Sequence, residues 1–156
     1  MPTPKFFVSL LVAAVAVLGL SACGEAAKDT HPEQWVTKRK AIFKQFTKTL
    51  EPMGMVARGR KDYNPREFNI EALALQKLTS QPWALFPADS NYPPTLAKPA
   101  VWEKPAEFQG AQDKFQVTIK ELVDASQGSD LERIKAAVNA VQNSCKTCHD
   151  QFRNES

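Results

Sequence analysis

The C-terminal part of the chain reads LERIKAAVNAVQNSCKTCHDQF from Leu131 to Phe152. Its apolar residues follow one another at unbroken intervals of three and four, which is typical of one face of a helix packed in a bundle. Asp130 stands directly before the pattern and is suited to be the helix N-cap. The stretch therefore predicts a terminal helix whose apolar face includes two cysteines. That face consists of Leu131, Ile134, Val138, Val141, Cys145, Cys148 and Phe152.

The first amphipathic pattern of the chain begins at Trp35. Apolar residues recur there at helical spacing as far as Ala57, and they predict a helix with one buried face. Pro52 lies inside the pattern, and since proline removes a backbone donor and clashes with the preceding turn, we expect it to kink or restart the helix. Gly59 is suited to be the C-cap.

A second helix is marked by Asn64 as N-cap and Pro65 as first helical residue, and it should end by Pro82. Residues 81–99 then contain five prolines, so they predict a long loop. Long loops in compact domains usually have a function or cover something. The aromatic residues of this loop are Trp83, Phe86 and Tyr92.

A third helix is predicted from about Ala100 to Gln127, with the fourth being the terminal helix described above. No segment after residue 22 alternates like a β-strand. The patterns therefore predict an all-α fold, an antiparallel four-helix bundle with a long proline-rich loop between helices two and three. Facing side chains in such bundles commonly hold a cofactor in the core.

The terminal helix also carries the only motif with an obvious chemistry. Residues Cys145-Lys-Thr-Cys148-His149 form C-x-x-C-H, the attachment signature of c-type haem. Two thiols three positions apart can add across the two haem vinyl groups, and the adjoining imidazole is then aimed at the iron. The motif predicts one covalent haem c per chain, with His149 as the proximal iron ligand.

Three other interpretations of the cysteines are weighed against haem. A thioredoxin-like pair would lie at a helix N-terminus after a strand, whereas this pair lies at a helix end. A structural zinc site needs four ligands, and His31, the remaining histidine, is distant in sequence. Ordinary core cysteines would explain the spacing of Cys145 and Cys148 but not the adjoining His149.

The N-terminus has the pattern of an export signal. Lys5 precedes an apolar run from Phe6 to Leu20, which is shorter than the roughly 20 residues of a membrane-spanning helix. Leu20-Ser-Ala-Cys23 resembles the lipobox of bacterial lipoproteins, with an ordinary signal-peptidase site as the alternative. We expect a signal peptide over 1–22, a tether over 23–31 and a haem domain over 32–156. A lipid on Cys23 would anchor the protein in the periplasm, on the outer membrane because no aspartate follows the cysteine.

The charge of the chain and its residue patterns argue against two other functions, nucleic-acid binding and enzymatic catalysis. The whole chain has 20 basic and 17 acidic residues, a net charge of +3, and removal of residues 1–22 takes away only Lys5. No basic stripe interleaved with aromatic residues is present, so nucleic-acid binding is not predicted. No nucleophile with a nearby base and no paired carboxylates are evident, so an enzyme is not predicted either.

The order and spacing of these pieces resemble the class II c-type cytochromes, and in particular the cytochrome c′ family. The resemblance covers nearly all of the chain after the N-terminal segment, although the lipobox departs from it. In that family the side chain four residues after the first-helix arginine faces the distal side of the haem. The matching pieces are Arg39-x-x-x-Phe43, Pro52 with Gly59, Pro82-Trp83-x-x-Phe86, Pro99-x-x-Trp102 and Cys145-x-x-Cys-His-x-x-x-Arg153.

The resemblance implies roles for three further residues. Phe43 would be the distal residue, with an ordinary core aromatic as the alternative. Arg39 would pair with a haem propionate, with a solvated charged face as the alternative. Arg153 would lie near the proximal ligand and tune it, with a surface arginine favoured by the helix dipole as the alternative. The resemblance also implies a homodimer through the first two helices.

The sixth coordination position separates two functions. Phe43 has no ligand atom, and Met53 and Met55 lie about 15 Å or more further along the helix. His31 would reach the iron only if the tether folded inward. We therefore expect five-coordinate, high-spin iron in an apolar pocket that admits NO and CO. The alternative is a low-spin periplasmic electron carrier with an unrecognised sixth ligand. The sequence does not identify a redox partner.

Overall fold

The computed structural model describes residues 27–155. These residues form five α-helices and, apart from one isolated bridge between Ala97 and Arg153, no β-structure. The all-α prediction is therefore confirmed. The helices are α1 (Trp35–Ala57), α2 (Pro65–Leu78), α3 (Ala100–Glu103), α4 (Pro105–Ser126) and α5 (Leu131–Phe152).

The helix boundaries follow local sequence signals. The Asn64 side chain accepts hydrogen bonds from two backbone N–H groups at the start of α2, and Asp130 does the same for α5. Helix α1 ends in a Schellman motif, with Gly59 at φ 66° one residue after the cap. In that motif Gly59 N–H donates to Val56 O and Arg60 N–H donates to Met55 O.

Of the two effects expected of Pro52, a restart of the helix is wrong, and the prediction of a single third helix needs correction as well. Helix α1 runs as one 23-residue helix with Pro52 inside it, so the chain does not restart there. The predicted third helix is instead two helices, α3 and α4, because Pro105 disfavours helical geometry at the preceding residue. Lys104 accordingly has φ −127° and ψ 58°.

Helices α1, α2, α4 and α5 form the bundle, each packed on the next around a closed ring. The link between α1 and α2 meets the link between α4 and α5, where the Tyr63 hydroxyl donates to Gly128 O at 2.9 Å. At the opposite end the loop 79–99 lies beside the C-terminus of α5. Neighbouring helices in the bundle therefore run antiparallel. The side chains that fill the centre include Met53, Leu75, Ile119, Leu122, Ile134, Val138 and Val141.

The loop 79–99 is fastened at several points to the end of the bundle that carries the cysteines. Lys98 N–H donates to Phe152 O, and Asn154 N–H donates to Leu96 O. The Trp102 indole N–H donates to Pro87 O at 2.9 Å. Each bond satisfies a backbone group of a long non-helical segment, so the loop has a defined path over this end of the bundle.

The N-terminal segment that the structure describes is packed on the same loop. One Asp29 carboxylate oxygen accepts from Thr37 N–H at 2.8 Å, and the other accepts from the Tyr92 hydroxyl at 2.9 Å. Part of the predicted tether 23–31 is thus in contact with the domain. The predicted signal peptide and Cys23 lie outside the described residues. Over residues 27–155, no helix combines the length and apolarity needed to cross a membrane.

Candidate functional site

Cys145, Cys148 and His149 lie in the last two turns of α5. Positions i, i+3 and i+4 of a helix share one face, so the three side chains are brought together by secondary structure alone. Both thiols are free and half-buried. Burial raises the pKa of Cys145, and burial together with Cys145 raises the pKa of Cys148 to about 11. Both groups are therefore neutral thiols at pH 7.

The two cysteines face different apolar clusters. Cys145 packs against the main core between the helices, and Cys148 packs against a second cluster built around Val101, Phe108 and Phe152. Trp83 contacts both clusters. The two cysteines therefore lie along one apolar surface that runs across both clusters.

His149 is exposed and borders an open cleft of about 390 Å³. Loss of solvent around part of the ring and the positive charge of Arg153 lower the pKa of His149, while Asp150 acts in the opposite sense. The neutral imidazole, which is the form that binds a metal, is thereby favoured. The cleft is lined by Lys98, His149, Asp150, Arg153, Asn154 and Glu155.

Arg153 is the C-cap of α5, one turn after His149. Its backbone N–H donates to His149 O at 2.9 Å, and its backbone pairs with Ala97 of the loop. Its side chain is exposed, and its positive charge helps to lower the pKa of His149. The structure thus places Arg153 beside His149, although a role in tuning the ligand stays a prediction.

Phe43 belongs to a group of aromatic side chains that we term the aromatic wall. Its ring lies 6.1 Å from that of Trp83 and 6.4 Å from that of Phe86, centroid to centroid, in edge-to-face contacts. The wall joins α1, the loop, α4 and α5, and Cys148 packs against part of it. Phe43 is therefore at the same end of the bundle as the C-x-x-C-H motif. The members are Phe43, Trp83, Phe86, Phe108, Phe115 and Phe152.

Trp83 and Phe86 were not predicted to be site residues. Their signal is the Pro82-Trp83-x-x-Phe86 segment in a loop rich in proline, which indicates a structured loop but not what its rings contact. Residues 83–85 form a short 3₁₀ turn that directs both rings toward Phe43 and Phe108. A contact of this kind depends on the folded path of the loop, so sequence spacing did not reveal it.

Arg39 is buried, with only 3% of its surface exposed, so the alternative of a solvated charged face is wrong. Its guanidinium donates four hydrogen bonds to the loop, and it stacks 4.4 Å above the ring of Phe86. Burial lowers the pKa of Arg39, but the group stays charged because a guanidinium is not deprotonated in proteins. Pairing with a haem propionate stays a prediction.

The other candidate iron ligands are engaged elsewhere. His31 Nδ1 accepts from Glu33 N–H, His31 Nε2 lies 3.6 Å from Asp89, and its ring stacks on Tyr92. Met53 is fully buried in the core toward the other end of α1, and Met55 is partly exposed. Over residues 27–155, no three histidine, cysteine or acidic side chains cluster as metal ligands. A porphyrin supplies four nitrogens itself and needs one imidazole, so the residues present fit haem.

A four-helix bundle whose last helix carries two thiols packed on apolar clusters and, next to them, an imidazole at an open cleft has the architecture of a bundle-type c-type cytochrome. Comparison with known proteins agrees: the model of the family described as Cytochrome C' matches residues 34–153. The chain belongs to the cytochrome c′ family, whose members carry covalently bound haem c.

Individual relatives cover nearly the whole domain. The cytochrome c′ of Rhodopseudomonas palustris is 31% identical over 147 residues, which is 92% of this chain and 96% of the relative. A nitric oxide complex of a mutant cytochrome c prime from Alcaligenes xylosoxidans has a TM-score of 0.75 and 30% identity, and covers 84% of this chain and 100% of that one. A carbon monoxide-bound variant of the same protein gives the same four values.

Proposed function

We propose that this protein binds NO and CO at a five-coordinate, high-spin haem iron that has His149 as its proximal ligand. The observation that carries the proposal is the set of aromatic side chains that contact Phe43. A side chain without a ligand atom lies against an aromatic wall at the end of the bundle where Cys145, Cys148 and His149 are found. A bound haem would supply an iron with an open sixth position, while the chain itself supplies the attachment and the pocket.

The residues of the site would have separate roles in binding the haem and shaping its pocket. Cys145 and Cys148 would hold the porphyrin through thioether bonds, each thiol adding its sulfur and its hydrogen across one vinyl group. His149 would bind the iron through a neutral imidazole. Phe43 and the rest of the aromatic wall would exclude water and anions, since their surfaces offer no hydrogen-bond partner for a polar ligand.

Similar solved structures support gas binding. Those with the same fold and about 30% identity include complexes of cytochrome c prime with nitric oxide and with carbon monoxide. The engagement of His31 and the position of Met53 weigh against the alternative of a low-spin electron carrier, because that alternative needs a sixth ligand. A change of coordination between redox states would also slow electron transfer.

The absorption spectrum of the reduced protein tests this proposal. We expect broad high-spin bands that change on addition of CO or NO. The same measurement on the oxidised protein with cyanide or azide is the comparison, and the apolar wall should make the response to these anions weak. Sharp low-spin bands that do not respond to CO would contradict the proposal and favour the electron carrier.

We further propose that Cys23 is lipidated and holds the domain at the periplasmic side of the outer membrane. Two or three acyl chains anchor a protein stably, whereas a single chain binds only marginally. A Cys23→Ala variant should therefore move from the membrane fraction to the soluble periplasmic fraction, as judged by haem staining of both. Retention in the membrane fraction would contradict lipidation at this residue. A homodimer through the first two helices stays a prediction of the family resemblance.

A further inference from the structure

The loop 79–99 receives hydrogen bonds from one buried cation, the guanidinium of Arg39 on α1. The Arg39 Nη1 atom donates to Leu85 O at 3.0 Å and to Ser90 Oγ at 2.9 Å. The Nη2 atom donates to Ser90 O at 3.0 Å and to Thr95 Oγ1 at 2.7 Å. Four of the five N–H donors of the guanidinium are thus used by three residues of one loop.

The same guanidinium packs against the aromatic wall at Phe86. Its central carbon lies 4.4 Å above the ring of Phe86 and 5.9 Å from that of Trp102, and cation–π contacts of this kind are strongest when desolvated. Phe86 in turn touches Phe43, which lies one helical turn after Arg39 on the same face of α1. A chain of contacts therefore links the loop, Arg39, Phe86 and Phe43.

The acceptors on the loop are themselves held in place. Ser90 is fully buried, and its hydroxyl donates to Pro87 O while it accepts from Arg39. Thr95 Oγ1 accepts from Ala97 N–H as well as from Arg39. Buried groups that lose such a partner bear the full cost of desolvation, so the arrangement has one favourable geometry.

We propose that Arg39 is a positioning residue that holds the loop 85–95 against the haem pocket and so controls how easily Phe43 and Phe86 move aside for a gas molecule. This inference rests on the proposed gas-binding function. It assigns Arg39 a role separate from ion pairing with a haem propionate, because the acceptors concerned are carbonyl and hydroxyl groups of the chain.

Two variants test the inference without touching the charge of Arg39. Thr95→Val and Ser90→Ala each remove one hydroxyl acceptor from the guanidinium. In the full haem-loaded protein we expect amide hydrogen exchange in residues 85–95 to rise about tenfold, because one donor of a buried cation loses its partner. We expect the rate of CO association, measured by flash photolysis, to rise in the same variants.

Arg39→Lys separates the positioning role from propionate pairing. Lysine keeps the positive charge but lacks the planar fork that reaches Leu85, Ser90 and Thr95 together and stacks on Phe86. We expect this variant to keep the reduction potential close to that of the unchanged protein, while loop exchange and CO association both accelerate. Lys40→Met, which removes an exposed neighbouring charge, is the matched control and should alter neither rate.

The outcomes are distinct. Faster exchange together with faster CO association in Thr95→Val and Ser90→Ala supports the inference, whereas faster exchange with an unchanged CO rate overturns it, as does no change in either. If the unchanged protein binds no CO, the proposed function fails by itself. Loop exchange in the three variants then decides whether Arg39 positions the loop 85–95: faster exchange supports this part of the inference, and unchanged exchange overturns it.

Discussion

Replacing Phe43 by methionine should convert the haem iron from high spin to low spin. Phe43 lies on the first helix in contact with Trp83 and Phe86, and it has no ligand atom of its own. Methionine has a similar reach and adds a thioether sulfur, which is an established axial ligand of c-type haem. The reduced Phe43→Met protein should show sharp low-spin bands and a much weaker response to CO, because the sixth position would be filled.

The control for this prediction is Phe46→Met. Phe46 is on the same helix three residues later and is buried against Phe115 in the main core. Phe46→Met is the same chemical substitution and loses a comparable amount of aromatic packing, but it should leave the iron high-spin. Spectra that are alike in the two variants would show that Phe43 is not the distal residue, and they would reopen the assignment of α1 to the distal side.

Removing both thiols should abolish covalent haem attachment. The thiols of Cys145 and Cys148 are free and lie on one face of α5, so each can form one thioether bond. We expect Cys145→Ser and Cys148→Ser each to keep haem through the remaining bond. The unreacted vinyl group stays conjugated with the porphyrin, so the absorption bands of each single variant should shift to longer wavelength in denaturing pyridine. The double variant should lose its haem stain on a denaturing gel.

Thr147→Ser is the matched control for these variants. Thr147 lies between the two cysteines, is exposed, and its hydroxyl donates to Asn143 O of the same helix. This variant should stain for haem as strongly as the unchanged protein. A double cysteine variant that still carries haem through denaturation would contradict attachment at these sulfurs. Loss of haem in only one of the single variants would show that one bond is enough, and would identify which thiol forms it.

Several elements of the fold were predictable because their signals are local in the chain. The caps at Asn64 and Asp130 act on N–H groups two and three residues away, and the Schellman motif at Gly59 spans six residues. Apolar spacing identified α5 in full. Such features depend on the backbone geometry of residues close together in the chain, and this geometry does not depend on how the rest of the protein packs.

The expectation of a single third helix failed where two local signals competed. The apolar face of α3 continues into α4, so periodicity predicted one helix, but Pro105 excludes helical geometry at Lys104 and divides it. Pro52 carries the same kind of signal, yet α1 passes through it without a break. The difference lies in position: packing on both sides of Pro52 stabilises a long buried helix, whereas α3 is only one turn long.

The sequence by itself determined the chemistry of this protein, because Cys145, Cys148 and His149 are close together in the chain and any helix brings them onto one face. It also determined the number of bundle helices and the path of the terminal one. Only the tertiary structure decided the environment of Arg39 and Phe43. The acceptors of Arg39 lie 46 to 56 residues further along the chain, in a loop without periodicity. The rings of the aromatic wall that includes Phe43 come from four separate segments, α1, the loop, α4 and α5. Contacts of that range depend on how the helices and the loop pack together, which no local pattern specifies.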